Sequence, residues 1–417
     1  MARTPDTITC IDLGTTRCSC VIAQLTSPES LEVVGIGASR TEGIRRGVIV
    51  NLEALVHSIK TSVEQAESMA TRSVEAALVS VPAAQARSFS SRGVVTIQNR
   101  EKVVSRKDLQ RVLETVRAVQ IPDGQSILHA LPQEYTLDGQ DEIQDPVGMT
   151  GARLEASAHL VTVPQQAAQH VVSALNHAGI EVVSLVYPQL ASAEAVLSPE
   201  EREQGVFLID CGGGTTDVAL FEKGALWFTA SVPVAGDLIT NDISIGLRTP
   251  VPEAENVKRL HARAVPGGDE DMVIEVAPVG GGPPRLVAAE LLTRIVEPRV
   301  QEIFELVREC IDNAALRRRA PAGAVLVGGS ANLAGLPEVA EEVLGLPVRV
   351  GLPREVGGLV EEIRSPGMAV PVGLAAWEIR RGRRERAREL AGRSSQGLLK
   401  RPLELMQRSL GWFGEMF

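Results

Sequence analysis

One stretch constrains the fold more than any other: Phe207-Leu208-Ile209-Asp210-Cys211-Gly212-Gly213-Gly214-Thr215-Thr216-Asp217-Val218-Ala219-Leu220. An apolar run with β character ends on a carboxylate, turns through three glycines and two threonines, and leaves as a second strand. Without side chains in the way, the turn lets backbone N–H groups approach an oxyanion closely. The threonine hydroxyls add donors, and Asp210 at the strand end suits a hydrated Mg²⁺. Taken alone, the same residues would also make a tight hairpin in a β-rich core. A second copy decides for a phosphate cradle. The chain opens Ile8-Thr9-Cys10-Ile11-Asp12-Leu13-Gly14-Thr15-Thr16-Arg17-Cys18-Ser19-Cys20-Val21-Ile22, again a strand ending on aspartate and returning through Gly-Thr-Thr. Asp12 and Asp210 are 198 residues apart, which predicts two related lobes facing each other across a cleft, each beginning with such a hairpin. Both aspartates would then lie on the metal, with Arg17 a cation near the phosphates.

A third element follows in Ala324-Val325-Leu326-Val327-Gly328-Gly329-Ser330, read as a buried strand and a turn. Pro337 then starts a helix to about Leu344. Gly328 and Gly329 would let a flat nucleoside lie against the backbone beside Ser330. The three segments in this order resemble the actin-like ATPase superfamily, which includes sugar kinases and heat-shock chaperones. The resemblance implies ATP and Mg as cofactors. Neither a Gly-x-x-x-x-Gly-Lys-Ser/Thr loop nor a Gly-x-Gly-x-x-Gly fingerprint occurs, which argues against P-loop and Rossmann folds.

A chain of 417 residues buries one large or two medium cores, consistent with two lobes. Cys10, Cys18, Cys20 and Cys211 fall inside predicted strands, as small buried apolar residues would. No Cys/His metal spacing appears; His170 and His177 share a helix face without further ligands. The N-terminus carries no signal-peptide pattern and no apolar run reaches membrane-spanning length, so a cytoplasmic chain is expected. The net charge of −10 conceals an asymmetry, because residues 380–417 carry ten Lys/Arg against four Glu. A basic tail on an acidic body points toward an anionic partner.

Residues 82–162 interrupt the pattern of a plain lobe. They read as a small inserted α+β module, with a strand near Val94–Ile97 and a helix from about Ser105 capped through Asp108. Its strings Leu131-Pro132-Gln133-Glu134-Tyr135 and Asp145-Pro146-Val147-Gly148-Met149-Thr150-Gly151-Ala152-Arg153-Leu154-Glu155 are not spaced for catalysis. Turns and packing explain them as well as an interaction module does. They resemble the FtsA family of actin-like bacterial division proteins, and the similarity covers essentially the whole chain.

The fold expected is therefore α/β, an actin-like two-lobed ATPase fold with an inserted α+β module and a C-terminal amphipathic helix. Residues 1–81 and 163–196 would form the first lobe core, 82–162 the module, and 197–236 with 300–380 the second lobe core. An edge subdomain would occupy 237–299, a basic linker 381–397 and the terminal helix 398–417. The resemblance further implies that Gly212, Gly213, Gly214, Thr215 and Gly236 hold nucleotide. Glu255 and Lys258 share a helix face and read on their own as an exposed ion pair; by resemblance they reach ribose and adenine. Where hydrolytic relatives place a water-orienting Glu or Gln just before a proline, this chain has Tyr187-Pro188-Gln189. Proline has no side-chain donor or acceptor, so Gln189 is the substitute candidate and slow ATP hydrolysis at most is expected. On its own Arg299 is an ordinary surface charge; the resemblance implies that it is a basic contact for the acidic C-terminal tail of FtsZ.

In the tail, Leu399, Leu403, Met406, Leu410, Phe413 and Phe417 recur at helical spacing, and Leu405, Trp412 and Met416 widen the stripe. Such a helix docks on its own core or lies in a membrane interface. The charged stretch before it and its terminal aromatics favour the membrane, as does the resemblance. The implied protein tethers FtsZ filaments to the cytoplasmic face of the membrane at the division septum. It would self-associate into filaments, meet other division proteins through the module, touch inner-leaflet anionic lipid, and bind no nucleic acid. A scaffold of the PilM kind, a sugar kinase and a soluble chaperone-type ATPase are the alternatives within the fold.

Overall fold

The computed structural model describes residues 7–27, 30–267, 272–354 and 356–393, with side chains to residue 382. The chain forms two compact units, Met1–Trp377 and Glu378–Phe417. The first unit opens with β1 (Thr7–Leu13), β2 (Arg17–Ser27), β3 (Ser30–Arg40), β4 (Ile44–Arg45), β5 (Val48–Ile49), α1 (Leu52–Ala70) and β6 (Ala76–Ser80). Helix α1 starts where the Asn51 side chain accepts the Ala54 N–H, and it buries Leu55, Ile59, Val63 and Ala66 at helical spacing against the sheet.

The module follows as β7 (Arg87–Thr96), α2 (Arg106–Arg117), β8 (Gln125–Leu137), β9 (Gln140–Ile143) and β10 (Arg153–Pro164). The expected cap is present as a full capping box: Ser105 accepts the Asp108 N–H while the Asp108 carboxylate accepts the Ser105 N–H. The four strands form an antiparallel sheet in the order β7-β10-β8-β9. Its α2 face encloses a separate small core of Val112, Val116, Leu154, Ala156, Ala158 and Leu160. The module does not hang free. Gln133 Nε2 donates to the Leu226 carbonyl at 3.1 Å, and Thr229 Oγ1 donates to Ser88 Oγ at 2.7 Å. Lys223 pairs with Glu142.

The chain then returns through α3 (Gln165–His177), β11 (Glu181–Val186) and α4 (Pro188–Val196), with Pro188 in the first turn, where its missing N–H costs nothing. The second lobe comprises α5 (Pro199–Gln204), β12 (Val206–Cys211), β13 (Thr216–Glu222), β14 (Ala225–Val232), α6 (Gly236–Gly246), α7 (Val251–His261), β15 (Val273–Val276) and β16 (Arg285–Ala288). It continues with α8 (Ala289–Asn313), β17 (Ala324–Val327), α9 (Leu336–Leu344) and β18 (Val348–Val350). Last come β19 (Val356–Gly358), α10 (Val360–Ile363) and α11 (Ala369–Arg393).

Two sheets carry the lobes, β11-β6-β1-β2-β3-β19 and β14-β13-β12-β17-β18. In each, an antiparallel hairpin is flanked by a parallel strand: β1–β2 with β6, and β12–β13 with β17. The same motif thus recurs, as the two Asp-Gly-Thr turns require. The late chain departs from the expected division. Strand β19 pairs parallel with β3, and Ala369 and Trp377 join the first lobe's core. A three-residue strand is too short to announce its partner by local pattern. Within the second unit, Arg381 pairs with Glu378 at 2.7 Å. Helix α11 runs to Arg393, past the point where composition predicts a linker, because Arg, Glu, Ala and Leu are good helix formers. The terminal stripe, including Leu399, Leu403, Met406, Leu410, Trp412, Phe413, Met416 and Phe417, lies outside the described residues.

Candidate functional site

The two Asp-Gly turns meet at the centre of the first unit. Asp12 and Asp210 occupy equivalent places, opposite Ser19 and Asp217 in their hairpins. Gly212 N–H closes the second turn on the Thr215 carbonyl at 3.0 Å. A Cβ added at Gly213 would collide with the Thr16 side chain, and one at Gly214 would stand 2.8 Å from Thr15 Oγ1. The turns are therefore packed tip to tip, and only glycine permits it. Gly47 N–H donates to Thr15 Oγ1 at 3.0 Å, fixing the first turn from behind.

Both aspartates are half-buried. Ser80 Oγ donates to Asp12 Oδ1 at 2.6 Å and accepts the Leu13 N–H at 3.0 Å. Burial nevertheless pushes the Asp12 carboxyl up to about 6, against the opposing effects of Ser80 and Arg17. Asp210 is pushed further, to about 8, by burial and then by the neighbouring charges of Asp217 and Asp12. Asp217 itself rises to about 6 by burial, although Ser231 and Thr215 hydrogen-bond to it. Arg17 offsets part of the charge of Asp12 but no cation offsets Asp210, and a hydrated divalent ion would balance carboxylates crowded in this way. The residues present thus fit Mg²⁺ held through Asp12 and Asp210. Arg17 lies close enough for its guanidinium pKa to be lowered by burial, raised by Asp12 and lowered again by Arg259.

The facing wall of the cleft is built by α6, α7 and the turn after β17. Gly236 N–H donates to the Gly212 carbonyl at 3.1 Å, and Asp237 N–H to the Gly213 carbonyl at 2.7 Å, so the start of α6 is tied to the turn. Lys258 Nζ bonds Glu255 Oε2 at 2.7 Å, Thr240 Oγ1 at 2.7 Å and the Gly236 carbonyl at 3.1 Å. Glu255 and Lys258 are therefore one polar cluster at the cleft rather than an isolated surface pair. Gly328, at φ +86°, lies so close to Asp210 that a Cβ would strike Oδ1, whereas Gly329 faces open space. Ser330 Oγ donates to the Gly212 carbonyl at 2.8 Å, so its hydroxyl braces the turn. The Thr215 hydroxyl donates to Asp217 Oδ2 at 3.0 Å, and Gly14 sits in the first turn over the Arg17 carbonyl.

Gln189 is fully buried in α4, and neither amide atom has a hydrogen-bond partner. Arg299 lies apart from the cleft on α8. Its Nε bonds Asp242 Oδ2 at 2.6 Å, and its guanidinium also pairs with Glu302. Ser80, Thr240 and Asp217 are polar partners that the sequence reading did not assign to the site. Ser80 left a readable trace, since it is a lone hydroxyl inside the apolar run Leu78-Val79-Ser80-Val81.

Comparison with known proteins decides which branch of the superfamily this is. The family description "Cell division protein FtsA" matches residues 207–373, and "SHS2 domain inserted in FTSA" matches 83–162. The cell division protein FtsA of Pseudomonas aeruginosa is 40% identical over 374 residues, covering 89% of each chain. The chain belongs to the FtsA family. The Borreliella burgdorferi FtsA is 34% identical over 405 residues, covering 97% of each chain, and the Escherichia coli K12 FtsA is 33% identical over 374, covering 87% and 88%. Among solved structures, a PilM-PilN type IV pilus biogenesis complex matches with a TM-score of 0.65 at 17% identity, covering 89% of this chain and 98% of that one. MreB5 of Spiroplasma citri bound to AMPPNP matches with a TM-score of 0.55 at 16% identity, covering 92% and 99%. These establish the actin-like fold, and the matched inserted domain places the module at 83–162. The chain is thus an actin-like division protein. No helix among the described residues is long and apolar enough to cross a membrane.

Proposed function

We propose that this chain is an ATP-dependent membrane adaptor of the division septum. The observation that carries the reading is the paired glycine-threonine turns closing on two half-buried aspartates whose pKa values are raised, in a chain akin to FtsA over nearly its whole length. Mg-ATP would lie between the lobes, with the metal near Asp12 and Asp210 and the nucleoside toward Glu255, Lys258 and Gly329. The bound ion supplies the positive charge that Asp210 lacks. The residues of the chain do the rest: Ser80 orients Asp12, Ser330 and the start of α6 brace the glycine turn, and Lys258 holds Glu255 and Thr240 in place. Gln189 is buried away from solvent and its neighbour Pro188 offers no side-chain acceptor, which suits slow turnover.

The remainder of the reading is that the 398–417 stripe holds the body on the cytoplasmic face of the membrane. The edge subdomain around Arg299 would take the acidic FtsZ tail, exchanging Asp242 and Glu302 for partner carboxylates. Copies would align into filaments, so that one weak helix per molecule gains strength through effective concentration. Liposome flotation of the full chain against a version ending at Gly397, with and without Mg-ATP, tests this. Flotation of the full chain alone, strengthened by nucleotide, is the expected result. Equal behaviour of both versions would overturn the membrane role.

A further inference from the structure

A cavity of about 630 Å³ opens behind the glycine turn, lined by Arg45, Arg46, Gly213, Gly214, Asp237 and Asn241, with Pro233, Ala235 and Leu238 completing the wall. It contains neither Asp12 nor Asp210, and neither Lys258 nor Glu255. It shares with the cleft the glycine turn and the start of α6. Two guanidiniums face it, and among the described residues neither Arg45 nor Arg46 takes part in an ion pair or side-chain hydrogen bond. Asp237 is the only carboxylate on the wall, and Lys258, Arg40 and Arg46 already act on its charge. The pocket is therefore cationic.

The local backbone sharpens the point. Arg45 pairs with Val48 across a two-residue turn, in which Arg46 sits at φ +45° and Gly47 at φ +69°. That is the primed hairpin geometry, which favours Asn-Gly and is unusual for arginine. The turn is held rigidly. Gly47 N–H bonds Thr15, and a Cβ on Gly214 would come within 2.7 Å of the Arg46 Cα. An arginine kept where asparagine would fit the backbone better points to a use for the guanidinium. Two guanidinium forks beside the Asn241 amide, in a pocket too small for a folded partner, match a tetrahedral oxyanion.

We propose that this cavity is a second anion site, for inorganic phosphate or a like tetrahedral oxyanion, distinct from the nucleotide cleft. The site shares Gly213, Gly214 and the start of α6 with the nucleotide reading, but neither aspartate proposed for the metal nor Glu255 or Lys258 lines it. It predicts that phosphate and nucleotide occupy the protein together, on opposite sides of Gly213 and Gly214.

The test is calorimetric titration of orthophosphate into the full chain at constant ionic strength in chloride, repeated with saturating ADP and repeated with sulfate. Two variants accompany it. Arg46→Asn keeps a residue that tolerates the left-handed turn while removing the guanidinium, and Arg45→Gln removes the other charge from a ladder position. Loss of a charge-assisted contact should weaken phosphate binding about tenfold or more in each variant. Binding of a fluorescent ATP analogue should change less than about twofold, a difference of under about 0.5 kcal/mol. Phosphate should still bind with ADP present. Unchanged phosphate affinity in both variants overturns the proposal, as does loss of phosphate binding under ADP, which would put the anion in the cleft. No heat by about 10 mM phosphate or sulfate would refute the site itself.

Discussion

Replacing Asp210 by asparagine should make the metal-free protein more stable at alkaline pH. The Asp210 carboxyl moves from its ordinary 3.8 to about 8 in the folded chain, chiefly by burial and then by Asp217 and Asp12. The folded state therefore binds that proton more tightly than the unfolded state. The stability it contributes is complete below about pH 4 and is lost as pH rises toward 8. At about 1.36 kcal/mol per pH unit, a displacement of this size corresponds to roughly 6 kcal/mol at the alkaline end. Asp12 and Asp217 compete for the same protons, and relaxation lowers the cost, so about 2 kcal/mol or more is a fair expectation for the measurement. The asparagine side chain keeps the volume of the carboxylate and sheds its charge. The assay is urea unfolding in EDTA from pH 5.5 to 8.5, for wild type and Asp210→Asn, with a parallel series in Mg²⁺. Wild type should lose stability with rising pH in EDTA and regain it in Mg²⁺, while the variant should show a flatter profile and little response to the ion. An Asp210→Asn protein less stable than wild type at pH 8 in EDTA, or with the same pH slope, would refute the reasoning.

Other expectations follow from the same geometry. Gly328→Ala should lower stability by roughly 1–3 kcal/mol, because the site needs φ +86° and a Cβ would meet Asp210 Oδ1; thermal unfolding without ligand measures this, and an unchanged midpoint would contradict the packing. Lys258→Ala removes the bonds to Glu255, Thr240 and the Gly236 carbonyl. Nucleotide affinity should fall about tenfold or more, and a fluorescent ATP analogue reports it directly.

The parts of the site that were legible in the sequence are those written in local order. Each Asp-Gly-Thr turn, the Gly-Gly-Ser turn and the Ser105–Asp108 cap depend on residues a few places apart, and each stands where its pattern puts it. The duplicated hairpin also made two related lobes legible, and each lobe's sheet does contain such a hairpin beside a parallel strand. What escaped the reading depends on pairing across long separations. Ser80 meets Asp12 from 68 residues away, and Arg299 meets Asp242 from 57. Arg299 looks like any surface charge until α6 is brought beside α8. The short β19 and the packing of α11 on the first lobe leave no periodic signal either, because a few residues of pattern cannot name the sheet they will join.

A second titrating set acts in the opposite direction from the aspartates, and it lies in the inserted module. His129 and His159 are both held near a pKa of about 4 by burial, well below the ordinary 6.5. His129 Nε2 accepts the Tyr187 N–H at 3.0 Å, which requires that nitrogen to be unprotonated. His159 is 2% exposed on β10, and neither ring nitrogen has a partner; strand alternation puts it on the face opposite Leu160, away from α2. A depressed folded-state pKa means that the unfolded chain takes up the proton first. The stability is thus present above pH 6.5 and is lost as pH falls toward 4, at most roughly 3 kcal/mol per histidine. The metal-free protein should therefore show two opposed pH effects, an alkaline loss set by the cleft and an acid loss set by the module. His159→Leu separates the two. It removes a buried imidazole without partners, so the variant should match or exceed wild type at pH 7 and lose less stability between pH 6.5 and 4. Its alkaline limb should stay unchanged, and Mg²⁺ should correct that limb alone. An acid slope equal to that of wild type would show that the buried histidines do not govern acid stability.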